Sequence, residues 1–323
     1  MTQGAVDPFR IDIHQHPVSK LYRDRLSAVG VRGSGDRPWP DWSVATTLEV
    51  MDRTAIEGIV LSIGSPGVFF GDRAFARGLA RVLNEELAQL VADRPRRFGA
   101  FAATPLPDLD ASIAEVAYAF DTLKLDGVCL LAHYDGRYLG DPYFDPFLAE
   151  LDRRRAVLFI HPAYPPVTGL PKYDAPPGTL ELVFDTSRAI ANLLYNGALT
   201  RFPNIRVIPG HCAGVAPYVL FRILKFDAMP GIAERNPDGV MACFRRLYYD
   251  VTQSAVPATL RSVMEVADPA RILFGSDYPF ARFPVKDLEE TIAGVESFDG
   301  FDAAQRRAVF RDNAIALFPR FGT

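Results

Sequence analysis

Eight short apolar runs, each followed by a stretch of helical spacing, constrain this chain more than any other feature. The runs are Arg10–His14, Gly58–Ser62, Phe98–Ala102, Gly127–Leu131, Ala156–His161, Ile205–His211, Leu247–Val251 and Arg271–Asp277. Several are apolar at successive positions rather than alternate ones. Strands buried on both faces look like this, and such strands belong to parallel sheets. Helical periodicity is read over Ser43–Thr54, Arg73–Ala92, Asp110–Leu123, Pro146–Arg154, Leu180–Thr200, Ala216–Phe226 and Val256–Ala267. Two more helices, Val285–Ser297 and Asp302–Leu317, follow the last strand. Eight strand–helix units in 323 residues predict an α/β chain closed as a (β/α)8 TIM barrel, with an open doubly wound sheet as the rival. No linker or repeat interrupts the pattern, so residues 1–323 are expected to form one domain. The stretch Pro17–Trp42, which ends in Pro38-Trp39-Pro40-Asp41-Trp42, is too long for a simple connector. It is expected to be a lid-like insertion after strand 1. A proline-rich loop is expected from Pro162 to about Pro177.

The first strand runs Ile11-Asp12-Ile13-His14-Gln15-His16-Pro17. Residues i and i+2 of a strand share a face, so His14 and His16 point one way and Ile11 and Ile13 the other. Two imidazoles so placed can grip one metal ion, although a lone His-x-His also describes two solvated histidines. The other histidines strengthen the metal reading. A barrel gathers its active site at the carboxyl ends of its strands. Strand five ends in His161, strand six in His211 and strand eight in Asp277, so four of the five histidines and one acid converge there. The fifth, His133, lies just past strand four and is read as a loop histidine.

Charge and cysteine usage exclude several classes of partner. The formal net charge is −4, which leaves no basic field for phosphates, so no nucleic acid is expected. No stretch approaches ~18 consecutive apolar residues, so no membrane span is expected. Cys129, Cys212 and Cys243 are far apart and form no Cys-x-x-Cys pair, so no disulfide framework is indicated. The N-terminus lacks the basic and apolar regions of a secretory leader, and the expected compartment is the cytoplasm.

Four motifs, taken in order, carry a family resemblance. They are Asp12-Ile13-His14-Gln15-His16, Phe159-Ile160-His161-Pro162, Pro209-Gly210-His211-Cys212-Ala213-Gly214 and Leu273-Phe274-Gly275-Ser276-Asp277-Tyr278-Pro279-Phe280. The set resembles the amidohydrolase superfamily, in the branch of aminocarboxymuconate-semialdehyde, γ-resorcylate and 6-methylsalicylate decarboxylases. The likeness covers essentially the whole chain. Met51-Asp52-Arg53, Leu61-Ser62-Ile63, Ser65-Pro66-Gly67-Val68 and Phe184-Asp185-Thr186-Ser187-Arg188-Ala189 are most similar to the 6-methylsalicylate type.

The resemblance implies that His14, His16, His161 and Asp277 hold one divalent metal, zinc before manganese. No lysine stands at the end of strand four, where binuclear members carry a carboxylated one, so a single ion is expected. His211 matches the histidine that moves a proton near the metal, with Asp277 as the second proton carrier. Arg222 matches an arginine that reaches a neighbouring subunit's site and binds the substrate carboxylate, which implies a homodimer or tetramer. Arg37 is a candidate for a second carboxylate-binding arginine. The family often has two glycines where Cys212 and Ala213 stand, and Cys212 is expected to be a buried, inert thiol.

The implied function is metal-dependent decarboxylation of a small aromatic or muconate-type carboxylic acid, 6-methylsalicylate-like. The alternative is a hydrolase acting on a lactone, an amide or a C–C bond with the same residues. Trp39, Trp42, Phe69, Phe70, Tyr164, Tyr278, Phe280 and Phe283 are the candidate walls of a pocket for a flat ring. A purely structural metal in a scaffold protein is the third reading. It fits poorly with ligands at the catalytic face of a barrel.

Overall fold

The computed structural model describes residues 9–35, 37–166, 174, 176 and 178–322. Its centre is a ring of parallel strands. β1 (Arg10–Gln15), β2 (Ile56–Leu61), β3 (Phe98–Ala102), β4 (Gly127–Leu131), β5 (Val157–His161) and β6 (Arg206–Pro209) form one continuous sheet in chain order. β7 (Tyr249–Asp250) and β8 (Ile272–Leu273) pair with each other in parallel. Backbone hydrogen bonds close both seams. Tyr248 N–H donates to the Val207 carbonyl at 2.9 Å, and Ile13 N–H to the Phe274 carbonyl at 3.0 Å. A parallel bridge between Gln15 and Tyr278 adds to the second seam. The ring is the expected eight-stranded barrel, with two strands far shorter than their apolar runs.

The core explains why the strands are apolar throughout. In β5, Val157 and Phe159 join a buried cluster with Ile11, Val60, Phe101, Ile208 and Leu273, which draws on seven of the eight strands. Leu158 and Ile160 of the same strand join the larger cluster formed with the helices. Alternate residues are therefore buried on opposite faces, and neither face admits a polar side chain cheaply.

The segment between β1 and β2 is more ordered than a loop. It holds α1 (Lys20–Ser27), a two-residue hairpin that pairs Gly33–Ser34 with Arg37–Pro38, and α2 (Val44–Arg53). α1 eludes a periodicity search because only Tyr22 and Leu26 are buried on it, among four charged residues. Ser19 caps it by accepting the Tyr22 N–H at 3.2 Å. Ser43 caps α2 as its sequence suggests, in a reciprocal box with Thr46.

The outer helices α3 (Arg73–Asp93), α4 (Leu109–Asp121) and α5 (Asp145–Arg153) match their sequence spans closely, whereas α6 (Gly178–Tyr195) stops short of the predicted Thr200 and a separate turn of helix, Ala198–Arg201, follows. The predicted Ala216–Phe226 helix shrinks to α7 (Leu220–Leu224), and the predicted Asp302–Leu317 helix is broken by a π-helical turn at Ala308–Asp312. In the proline-rich loop, positions 167–173, 175 and 177 lie outside the described residues. Among the described residues, no helix is long and apolar enough to cross a membrane.

Candidate metal centre

Three histidines converge with their outer nitrogens already occupied. His14 Nδ1 meets Asp250 Oδ2 at 2.6 Å, His16 Nδ1 meets the Ser62 carbonyl at 2.9 Å, and His161 Nδ1 meets the Pro162 carbonyl at 2.7 Å. A carbonyl or an ionised carboxylate only accepts, so each Nδ1 carries the proton and each Nε2 presents a lone pair. The Nε2 atoms of His14 and His16 are 3.1 Å apart. Asp277 Oδ1 lies 3.1 Å from His16 Nε2, 3.6 Å from His14 Nε2 and 4.0 Å from His161 Nε2.

All four donor atoms fall within 4.8 Å of one another. Asp277 Oδ1 is buried without a hydrogen-bond donor, while Oδ2 accepts from Gln253 Nε2 at 2.9 Å. Three lone pairs and a carboxylate oxygen facing one another repel unless a cation sits among them. Nitrogen and oxygen donors in this ratio suit a divalent transition metal, so the residues fit the ion that the sequence resemblance implies. Gly64 leaves room for the cluster. A β-carbon there would lie 2.8 Å from His16 Cε1 and 3.1 Å from His161 Cε1.

Electrostatics agree with neutral imidazoles facing an anion. Burial pushes His161 down to about 3. Burial also lowers His14, against the pull of Asp250. Burial alone would raise Asp277, but positive charge beside it, a proton on the facing His16, His161 or His14 or a cation in its place, holds it well below the usual carboxylate range. Asp12 is pushed up to about 6 by burial, although it accepts four hydrogen bonds. These come from His14 N (3.0 Å), Ser276 N (3.1 Å), Gln15 Nε2 (2.7 Å) and Ser276 Oγ (2.6 Å). Asp12 thus fastens β1 to the segment after β8, next to the metal ligands on both.

Beyond β6 the backbone is unusual. His211, Cys212 and Ala213 stand in the left-handed region with φ of 54°, 56° and 62°, and so do Gln253 (49°) and Asp277 (65°). The family glycines at 212 and 213 find their reason here, since this region suits glycine. The turn brings the His211 ring to 5.0 Å from that of His14 and 6.1 Å from that of His161, centroid to centroid. It also lets the Cys212 N–H reach Asp250 Oδ1 at 3.4 Å. Cys212 itself is fully buried, and burial raises its thiol well above the ordinary value, so it is inert as expected.

The sequence reading missed Asp250 and Gln253. Asp250 orients His14 and is itself ionised. Burial would raise it, but His14 outweighs that. An acid near the carboxyl end of a predicted strand was the available signal, the same one that marks Asp277. Gln253 carried no such signal.

His161, His211 and Asp277 share a cavity of about 40 Å3 with Arg37, Ser65, Tyr164, Leu182 and Phe280. Arg37 is tied through Nη1 to the Phe280 carbonyl at 2.9 Å. Arg37 and Phe280 also border an outer vestibule of about 480 Å3 that includes Arg282. Of the aromatic residues expected as walls, Tyr164 and Phe280 face the metal cavity and Phe69 and Phe70 line a neighbouring one. Trp39 packs behind Phe280, and Phe283 is exposed. His133 stands in a two-residue hairpin and donates from Nε2 to the Tyr164 carbonyl at 2.8 Å. Arg222 is exposed on α7 and does not line the cavity of its own chain.

Comparison with known proteins agrees with this geometry. The family model described as amidohydrolase matches residues 11–320. A 6-methylsalicylic acid decarboxylase of Aspergillus aculeatus is 34% identical over 96% of this chain and 96% of its own. A 6-methylsalicylic acid decarboxylase of Penicillium expansum is 32% identical over 96% of each chain. A crystal structure described as an amidohydrolase II superposes with a TM-score of 0.89 at 28% identity, covering 96% of this chain and 99% of that one.

Proposed function

The chain belongs to the amidohydrolase family, and from that premise we propose a metal-dependent decarboxylase of small aromatic carboxylic acids, of the 6-methylsalicylate type. The observation that carries the reading is the cluster of His14, His16, His161 and Asp277 opening on one cavity with His211 and Arg37. Three imidazoles and a carboxylate favour zinc, with manganese as the alternative. When bound, the ion would polarise substrate oxygens as a Lewis acid.

The remaining work falls to the chain's own residues. Arg37 keeps guanidinium N–H groups beyond its bond to Phe280, and a planar guanidinium fits a carboxylate in two-point fashion. Tyr164, Leu182 and Phe280 supply apolar contact for a flat ring and exclude water from it. His211 and Asp277 are the proton carriers. A proton is delivered to the ring carbon that bears the carboxylate, the carbon–carbon bond breaks, and CO2 leaves a phenol behind. Gln253 holds Oδ2 of Asp277 and leaves Oδ1 for the ion.

Arg222 completes the reading from a second copy. It sits among exposed apolar side chains: Tyr218 (82% exposed), Phe221 (74%), Met229 (51%) and Phe226 (49%). A patch of this kind supports a contact with another subunit, and hence a homodimer or tetramer in which Arg222 reaches the neighbour's substrate. Cysteine usage favours a cytoplasmic setting.

The test is mass spectrometry of products after the metal-replete protein meets salicylate-type acids, lactones and meta-cleavage products. Loss of CO2 from an acid is expected, with 6-methylsalicylate among the substrates. Water addition to a lactone or C–C substrate, with every acid untouched, would overturn the reading in favour of a hydrolase.

A further inference from the structure

Beside the metal cavity lies a second one, of about 300 Å3, built by the loops that follow β1, β2, β4 and β5. Ser65 and Tyr164 line both cavities, so the two adjoin. Its walls include Phe69, Phe70, Leu131 and Tyr134, none of which ligates the metal or carries a proton.

Most polar groups of this wall are engaged inside the protein; Asp135 stands exposed among the lining residues, and His133 Nδ1 is buried without a partner. The Tyr134 hydroxyl accepts the Leu131 N–H at 2.9 Å. His133 Nε2 donates to the Tyr164 carbonyl at 2.8 Å, and the Tyr22 hydroxyl donates to the Gly67 carbonyl behind the turn at 2.7 Å. Apart from Asp135, ring faces and a leucine side chain remain on offer. Phe69, Phe70, Leu131 and Tyr164 are only half-buried, so apolar surface stays uncovered. The vestibule on the Arg37 side differs, since Arg37 and Arg282 border it. A carboxylate belongs on that charged side, and an apolar group gains by leaving water on the other.

We propose that this second cavity is a subsite for an apolar ring substituent, and that the preferred substrates are ortho-hydroxybenzoic acids bearing an alkyl chain longer than methyl. The proposal rests on the decarboxylase reading for the head group and on the cavity alone for the tail. A single methyl group fills little of a 300 Å3 space, whereas a chain of several carbons covers the exposed faces of Phe69, Phe70 and Leu131.

The experiment titrates 3-alkylphenols, the products such acids would leave, into the metal-replete protein by calorimetry, from 3-methylphenol to 3-pentylphenol. The dissociation constant should fall about threefold per added methylene. Leu131→Trp, which fills the cavity, should abolish that trend and leave the affinity for phenol itself unchanged. Phe70→Ser, which removes part of the wall without filling the space, should flatten the trend and stands in if the tryptophan variant fails to fold. Affinity that is flat or falling with chain length, or a trend that survives in the folded variants, would overturn the subsite. The readout is binding, so absence of CO2 release from every acid would defeat the decarboxylase reading alone. Release of CO2 together with a flat titration would defeat the subsite alone.

Discussion

The sector from β1 to β6 and the sector from His211 to Asp277 build the same site by different means. In the first, parallel strands of four to six residues pair side by side in chain order, and His161 completes β5. In the second, β7 and β8 have two residues each, and five non-glycine residues adopt left-handed backbone. Four of those five are His211, Cys212, Gln253 and Asp277, at or beside the residues proposed to carry the proton. A left-handed residue other than glycine costs roughly 1–2 kcal/mol; the first sector has four, Ala55, Lys124, Asp135 and Arg155, all outside the metal cavity, whereas the second sector places its strain at the site. Regular strands present side chains in fixed directions, which suffices to stack imidazoles. Aiming an acid and a free histidine at the same point takes turns that a ladder does not provide.

Substitutions can break or sharpen that contrast. The largest effect is expected for His211→Ala and Asp277→Asn, each lowering the rate of CO2 release by about 10²–10⁴-fold. Circular dichroism should show an intact fold, and a near-normal rate in either variant would remove that residue from the chemistry. Asp250→Asn should cost about 10–100-fold in metal affinity or activity, because His14 loses the partner that fixes its tautomer. Metal content after dialysis checks this, and full retention with unchanged activity would count against Asp250 as an orienting residue.

Gln253→Ala should weaken metal retention by about tenfold, the low end for one hydrogen bond to a carboxylate, with the melting temperature unmoved. A lowered melting temperature with normal retention would make Gln253 merely structural. The smallest expected effect is on stability. Ala213→Gly in the left-handed turn should stabilise by up to about 1 kcal/mol, whereas Ala100→Gly in β3 should destabilise by at least about 0.5–1 kcal/mol. Denaturant titrations of the two variants test the sign, and the same sign at both sites would erase the difference in backbone strain between the sectors.

The same contrast decides what could be read from the sequence. β3 and β4 match their predicted bounds to the residue, because strands buried on both faces leave uninterrupted apolar runs. His14, His16, His161 and Asp277 were legible because each stands at a strand end, where a barrel collects side chains. In the second sector apolar runs overstate the strands. The runs Leu247–Val251 and Arg271–Asp277 are apolar from burial, but most of their backbone leaves the ladder. The predicted helix at Ala216–Phe226 shrank behind the left-handed turn, a conformation that Cys212 and Ala213 do not announce as glycines would. Asp250 was read as part of a strand rather than as a partner of His14, since a carboxylate that orients a ligand looks in sequence like any other acid. Arg222 was placed by family likeness alone, and its own chain gives it no site partner.

The four bonds that Asp12 accepts from His14, Gln15 and Ser276 set an order on the birth of the protein. Asp12 and Ser276 are 264 positions apart in the chain. A ribosome must deliver β8 and the turn beyond it before β1 gains its second neighbour, and contacts of such separation form late and slowly. Asp277 arrives on that same final stretch, so the nascent chain completes its ring and its metal ligands together. A fragment ending before residue 272 should therefore lack both the closed barrel and the fourth ligand, however well its first six strands pair.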